Sequence, residues 1–388
     1  MRIPAPLLAA CVALAAASGG CAPLYPANPT MTADPCPEIV EFSGFRWRVS
    51  TGRMQGDALW SRCQVEVRDG ALVLRLSRAA REPFLGAQFA LAAADGEAHL
   101  GFGRYEFRID PVPSKSLPPQ GVFAMFSYGG PSGIDRRGVW GYNEIDIEIN
   151  RSWLRTDDGV EIGAPPVFTV WPAAPSGRRR TGGRTPATHH VPGLTRPDPL
   201  ASPTIHAFDW APGSVRFGSR PADDDAPFSA WTAAGDDLPS GAIPSAPMVP
   251  MINLWAVASG ARIETQECGP DYPCGIWSVV VQSVRLPVPI HKHAGDGQQG
   301  EPGTPLPGPL IVRVTDEHDH PMPGVAVEFS VTRGGGTLTA SADRVTMVTD
   351  ADGLARAAWT LGPAGAQEVH ARVLNGTRPL VRFSAHVR

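Results

Sequence analysis

Glu144-Ile145-Asp146-Ile147-Glu148-Ile149-Asn150 alternates polar and apolar side chains without a break. A period of two puts Ile145, Ile147 and Ile149 on one face of an extended strand and Glu144, Asp146, Glu148 and Asn150 on the other. The isoleucine face belongs against a core, which makes the run a half-buried β-strand. Three carboxylates in line on the opposite face repel one another, and a fold gains nothing from that. Either the face is simply solvated, or it is a site where neighbouring carboxyl groups push their pKa values apart. Trp140 and Tyr142 just upstream favour the site.

Outward from this strand the chain repeats the same texture. Residues 71–76, 103–110, 121–127, 167–171, 205–210, 248–255 and 276–286 are short β-rich runs separated by turn residues, with no long amphipathic helix between them. Such a meander predicts an antiparallel sandwich or jelly roll over residues 38–286. Gly and Pro, 42 and 41 of 388 residues, suit many turns and short strands and exclude a helical bundle. Charged residues are 19% of the chain, the net charge is −4, and Lys115 and Lys292 are the only lysines, so no basic surface for nucleic acid stands out. Residues 172–203, with Arg178, Arg179, Arg180 and Arg184, read as a long solvated surface loop.

The N-terminus has the order of a bacterial export signal over residues 1–21: Arg2, the apolar run Ile3 to Ala17, then Ser18-Gly19-Gly20 before Cys21. Cys21 is the expected lipid-modified residue, in preference to Cys11 after Leu8-Ala9-Ala10, where the apolar core before the cut is too short. Pro4 and Pro6 interrupt the run, which falls short of the ~20 uninterrupted apolar residues of a membrane span. Residues 22–37 are expected to act as a tether. Cys36, Cys63, Cys268 and Cys274 remain, and export makes disulfides plausible. Four thiols allow three pairings; the short Cys268–Cys274 loop suggests a local bridge and leaves Cys36 with Cys63.

Residues 287–305 have linker composition, and beyond them residues 306–388 repeat strand-like runs at the spacing of a second, smaller β-sandwich. Val325, Val327, Phe329 and Val331 alternate inward. Asp350-Ala-Asp352-Gly353 is read as a turn, because the downstream acidic ligand of a calcium loop is missing. The segments Leu310 to Asp316, Pro323 to Phe329, Gly334-Gly-Gly336 and Thr349 to Gly353 resemble the bacterial Ig-like repeats of surface adhesins.

Glu144-Ile-Asp-Ile-Glu148 resembles the catalytic signature of glycoside hydrolase family 16, the jelly-roll enzymes that include lichenases and laminarinases. The resemblance extends through Gly101 to Arg108, Gly121 to Tyr128, His206 to Gly213 and Met251 to Trp255, in family order over about 250 residues. It implies a concanavalin-like jelly roll with Glu144 as nucleophile, Glu148 as general acid/base and Asp146 as auxiliary acid. It further implies Glu106, Arg108, Phe126, Tyr128, Tyr142, Trp171, Asn253 and Trp255 as sugar-binding positions, with flat rings stacking on pyranose faces and polar tips holding hydroxyls. A rise of ~3.3 Å per residue sets the Glu144 and Glu148 backbones about 13 Å apart. Side chains leaning together shorten this toward the ~5–5.5 Å of a retaining glycosidase. The single residue between Asp146 and Glu148 resembles lichenases and transglycosylases rather than laminarinases. Tyr142 replaces the tryptophan usual in bacterial lichenases. Cys63 lies where the lichenase disulfide begins, but residues 86–88 hold no cysteine partner, which rewires any bridge toward Cys36.

The expected protein is an exported retaining endo-β-glycosidase of β-1,3-1,4- or β-1,3-glucan, all-β, with a jelly roll followed by an Ig-like sandwich. It needs no cofactor and no catalytic metal, although the family leaves room for a structural calcium ion. Its partners are a polysaccharide and, for the Ig-like domain, a cell surface or another protein; nucleic acid is excluded, and membrane contact runs only through the lipid anchor. The expected location is a bacterial membrane facing the periplasm or exterior, with secretion as the other outcome. Transglycosylation and a non-catalytic sugar-binding lipoprotein are the competing functions.

Overall fold

The computed structural model describes residues 35–388 apart from 54–57, 113–115, 135–139, 151–165, 172–186, 191–200, 224–228, 235–242, 257–265, 271 and 364. The leader, Cys21, most of the tether and most of the Arg178–Arg184 loop lie outside the described residues. Among those described, no helix is long and apolar enough to cross a membrane.

Residues 36–286 curl into two facing antiparallel layers, a jelly roll. Across the first layer the strands run Ile39–Phe42, Phe45–Val49, Phe84–Ala93, Val249–Ala256, Gly121–Ile134, Trp140–Asn150, Val167–Trp171 and Ala187–His190. The second runs Val65–Arg68, Ala71–Arg78, Gly275–Arg285, Gly103–Ile109, Thr204–Ala211, Ser214–Pro221 and Ser229–Ala234. Several neighbours come from distant parts of the chain, such as Phe84–Ala93 beside Val249–Ala256 and Gly103–Ile109 beside Thr204–Ala211, so closing the layers requires long-range pairing.

The core lies between the layers. Ile145, Ile147, Phe123, Met125, Ile252 and Leu254 from the first meet Tyr105, Phe107, Phe208, Phe217 and Val281 from the second, each 0–1% exposed. Burying each such side chain contributes roughly 1.5–3 kcal/mol. Tyr105 stacks on Phe208 with centroids 4.5 Å apart, and its hydroxyl donates to the Gly101 carbonyl at 2.7 Å. His206 is also buried here, with Nε2 2.8 Å from Thr204 Oγ1 and Nδ1 2.7 Å from Ser219 Oγ. Burial lowers its pKa to about 3 and keeps the ring neutral. Disulfides join Cys36 to Cys63 and Cys268 to Cys274.

The C-terminal sandwich packs a sheet of Ile290–Ala294, Leu310–Val314 and Leu354–Ala357 against one of Gln298–Gly300, Val381–Val387, Ala366–Val373, Ala326–Arg333 and Arg344–Val348. Val325, Val327 and Phe329 are 0–1% exposed, on one face, while Val331 is only partly buried. Asp350 Oδ1 accepts from the Asp352 and Leu354 amides at 3.0 Å, so this acid closes a turn. Gly353 has φ +73°, and a Cβ there would meet the Val314 carbonyl at 2.4 Å, which makes glycine a requirement.

The segment 287–305 is not a free linker. Ile290–Ala294 and Gln298–Gly300 are strands of the sandwich, and the buried core runs on through Leu286, Val288 and Ile290 to Val312 and Val314. Its proline, glycine and charged residues gave linker composition because His291, Lys292 and His293 sit exposed on an edge strand, where tertiary pairing supplies the order. Residues 36–388 accordingly form one compact unit. Asn375 Nδ2 donates to the Ser43 carbonyl at 2.8 Å, Thr377 Oγ1 donates to the Arg104 carbonyl at 2.7 Å, and the Ala326 amide donates to the Gly44 carbonyl at 3.0 Å.

Candidate active site

The strand Trp140–Asn150 lies between Gly121–Ile134 and Val167–Trp171. Because its isoleucines are committed to the core, Glu144, Asp146 and Glu148 project from the opposite side of the first layer. Register then names their neighbours. Tyr128 and Trp171 flank Glu144; Phe126 and Thr169 flank Asp146; Ala124 and Val167 flank Glu148. One strand further, Met251 pairs with Phe126 and Asn253 with Ala124, while Trp255 pairs with Val122. Side chains directly opposite on an antiparallel pair stand ~4.5–5.5 Å apart at Cβ, so these residues form one continuous surface around the acids.

That surface has an apolar floor. Ala90, Ala124, Phe126, Val249 and Met251 make a buried cluster separate from the main core, with Tyr128 packed against it. Beside it are polar groups: Asn253 Nδ2 donates to Gln88 Oε1 at 3.4 Å, and Gln88 Nε2 donates to Ser50 Oγ at 3.2 Å. Asn253 is 8% exposed, and its Oδ1 has no partner among the described residues.

The electrostatics follow from burial. Asp146 is 4% exposed, and its carboxyl is pushed well above the usual carboxylate range, first by burial and then by the charges of Glu144 and Glu148. A hydrogen bond from the Trp171 side chain works in the opposite direction. Burial also lifts Glu148, to about 7. Two of the three carboxyl groups are therefore raised by burial, Glu148 into the neutral range where general acid–base chemistry operates.

Of the eight sugar-binding positions expected from the sequence, Phe126, Tyr128, Trp171, Asn253 and Trp255 share this face with the trio. The Tyr142 side chain lies outside the described residues. Glu106 and Arg108 do not belong to the site. Their strand, Gly103–Ile109, is in the second layer, with Tyr105, Phe107 and Ile109 turned into the core. Glu106 and Arg108 thus face outward on the far side of the molecule. Glu106 is ion-paired there with Arg104 at 3.0 Å and Arg285 at 3.5 Å, and Arg104 also pairs with Asp209 at 3.0 Å. These two positions were expected only from the family resemblance, and a motif along one strand carries no information about which layer owns that strand. The sequence reading also passed over Gln88, Thr169 and Met251. Met251 was detectable, being two residues before Asn253 on the same alternating run; Gln88 comes from a strand 165 residues away and has no local signal.

No curated protein sequence matches the chain. Among solved structures it is similar to a Bacillus licheniformis β-glucanase (20% identity, covering 64% of this chain and 94% of that one, TM-score 0.42). It is also similar to the laminarinase catalytic domain of Thermotoga maritima (16%, 63% and 92%, TM-score 0.44). A third is an immunostimulatory antigen and pseudo β-1,3-glucanase of Mycobacterium tuberculosis (22%, 61% and 89%, TM-score 0.40). Residues 309–383, within the C-terminal sandwich, match the family of bacterial Ig-like domains of group 1.

Proposed function

We infer that the acid-bearing face hydrolyses a β-linked polysaccharide, a β-1,3-1,4- or β-1,3-glucan, by the double displacement of a family 16 glycoside hydrolase. The observation that carries this reading is the carboxyl trio itself: three acids on one strand, two of them with pKa values raised by burial, beside an aromatic and apolar floor.

In this reading Glu144 attacks the anomeric carbon while Glu148 gives its proton to the departing glycosidic oxygen, so the sugar–oxygen bond breaks as the glycosyl–Glu144 ester forms. Glu148, now ionised, takes a proton from water. The resulting hydroxide displaces Glu144 and regenerates both groups. Asp146, neutral and hydrogen-bonded to Glu144, orients the nucleophile and spreads its charge. Tyr128, Trp171 and Trp255 offer faces for pyranose rings. The Asn253 carbonyl oxygen, unpaired among the described residues, offers an acceptor for a sugar hydroxyl.

The test is product release from lichenan, laminarin, agarose and xyloglucan by wild type and Glu144→Gln, with and without acceptor sugars. Hydrolysis by wild type and at least a thousandfold loss in Glu144→Gln, with its circular dichroism and sugar binding unchanged, supports the reading. A fully active mutant, or a wild type that cleaves none of the four, overturns it. Export and lipid attachment at Cys21 accompany the proposal and are tested by palmitate labelling of wild type against Cys21→Ser.

A further inference from the structure

Where the jelly roll meets the Ig-like domain, two loops interlock. The loop between Leu310–Val314 and Ala326–Arg333 carries Asp316, His318 and His320. It lies against the jelly-roll segment 94–100, which carries His99. Backbone bonds hold the two together: the Glu317 amide donates to the His99 carbonyl at 2.9 Å and the Ala94 amide to the Pro321 carbonyl at 2.9 Å.

Asp316 is the centre of this junction. Its residue is 2% exposed and its carboxylate is fixed on both oxygens. Oδ1 accepts from the His318 amide at 2.8 Å and the His320 amide at 3.0 Å; Oδ2 accepts from the His99 amide at 3.1 Å and lies 3.2 Å from His320 Nδ1. Around it stand three imidazoles. The His99 and His318 rings are 4.8 Å apart at their centroids, and His318 and His320 are 5.9 Å apart.

His99 Nδ1 is buried and has no hydrogen-bond partner among the described residues. It lies 3.9 Å from Asp316 Oδ2, too far for a hydrogen bond. Two ligands of a tetrahedral zinc ion, at bonds of ~2.0–2.1 Å, sit ~3.4 Å apart, so the gap suits two donors sharing a metal. Donor atoms of His99, Asp316 and His318 all lie within 4.8 Å of one another. Closing the widest gap to ~3.4 Å takes a modest rotation of His318, whose ring is exposed and whose backbone is already anchored to Asp316.

We propose that His99, Asp316 and His318 bind a divalent transition-metal ion of the zinc class, clamping the Ig-like domain onto the jelly roll. The donor set, two imidazoles and a carboxylate, selects such an ion over magnesium or calcium, which prefer all-oxygen shells. The hydrogen bonds to Asp316 orient it as outer partners orient a ligating carboxylate, and water completes the fourth position. Because the ligands come from both domains, the ion binds the docked arrangement and stabilises it by mass action.

The test uses the untagged chain, stripped with EDTA and titrated with zinc chloride by calorimetry and thermal melting. One equivalent of zinc binds, raising the melting temperature, while magnesium and calcium at the same concentration do not. His318→Ala, an exposed residue whose loss leaves the fold intact, weakens binding at least tenfold, about 1.4 kcal/mol. His99→Gln does the same, and the distant His293→Ala retains full binding. Cobalt(II) added to the stripped protein gives visible d–d bands that disappear in His318→Ala. No zinc binding at tenfold molar excess, or binding unchanged by His318→Ala, overturns the proposal.

Discussion

Glu148 titrates near 7 because it is enclosed, and that makes its ionisation an opponent of folding. Burial lifts it from 4.5 to about 7. At ~1.4 kcal/mol per unit this amounts to about 3 kcal/mol of resistance to the charged form. Partial exposure of the side chain on the site face reduces the figure to about 2 kcal/mol. Its folded pKa is raised, so the native state binds the extra proton. The associated stability is fully present below pH 4.5 and is lost as pH rises through 7. Glu148→Gln is neutral at every pH and nearly isosteric. It is expected to match wild type at pH 4.5 and to exceed it by about 2 kcal/mol at pH 8, read from urea unfolding at both pH values. The same group sets catalysis: kcat/KM of wild type declines above an apparent pKa of about 7, since only protonated Glu148 can protonate the leaving oxygen. Val167→Thr places a hydroxyl beside the carboxylate, favouring its charged form and moving the decline about one unit toward acid. Equal stability of Glu148→Gln and wild type at pH 8, or a gain that does not depend on pH, would refute the reasoning.

Three further outcomes follow from the fold. Replacing Cys36 and Cys63 with Ser opens a loop of sequence separation 27 and costs about 3–4 kcal/mol in the chain-entropy account, against about 2 kcal/mol for Cys268 and Cys274 at separation 6, measured by denaturant unfolding. His206 has a lowered folded pKa, so its contribution is complete above pH 6.5 and shrinks by up to ~1.4 kcal/mol per unit as pH falls below it. His206→Gln flattens that part of the stability–pH curve, and an unchanged slope contradicts the buried neutral ring. A chain ending at residue 286 loses the Asn375 and Thr377 bonds to Ser43 and Arg104 and exposes Leu286, so it melts at lower temperature than the whole chain.

The acid-bearing strand was legible because its information is local. Alternation over Glu144 to Asn150 states both the element and which side chains share a face, and the same pattern places Asn253 beside Trp255 on one side of another strand. Glycine at 353 was legible for a related reason, since Asp352-Gly353 has the chemistry of a tight turn. The Gly/Pro-rich stretch after residue 286 misled because composition reports chain stiffness and polarity, whereas Ile290–Ala294 is ordered by pairing with Leu310–Val314 further along the chain. Glu106 and Arg108 misled differently: the family resemblance implied them at the site, and the strand that carries them lies in the other layer.

The sequence by itself determined the all-β character, the two unequal sandwiches and the three carboxyl groups that share one strand face, because alternation and turn chemistry are local properties. The tertiary structure alone decided which strands became neighbours. It brought Val167 and Ala124 beside Glu148 and so lifted its pKa; it sent Glu106 to the opposite layer; and it set His99 against Asp316 across 217 residues. Burial and close approach depend on these long-range pairings, and a side chain's protonation and ligands depend on burial and close approach. The period of the strand sets which way a residue points, and the fold sets what it meets there.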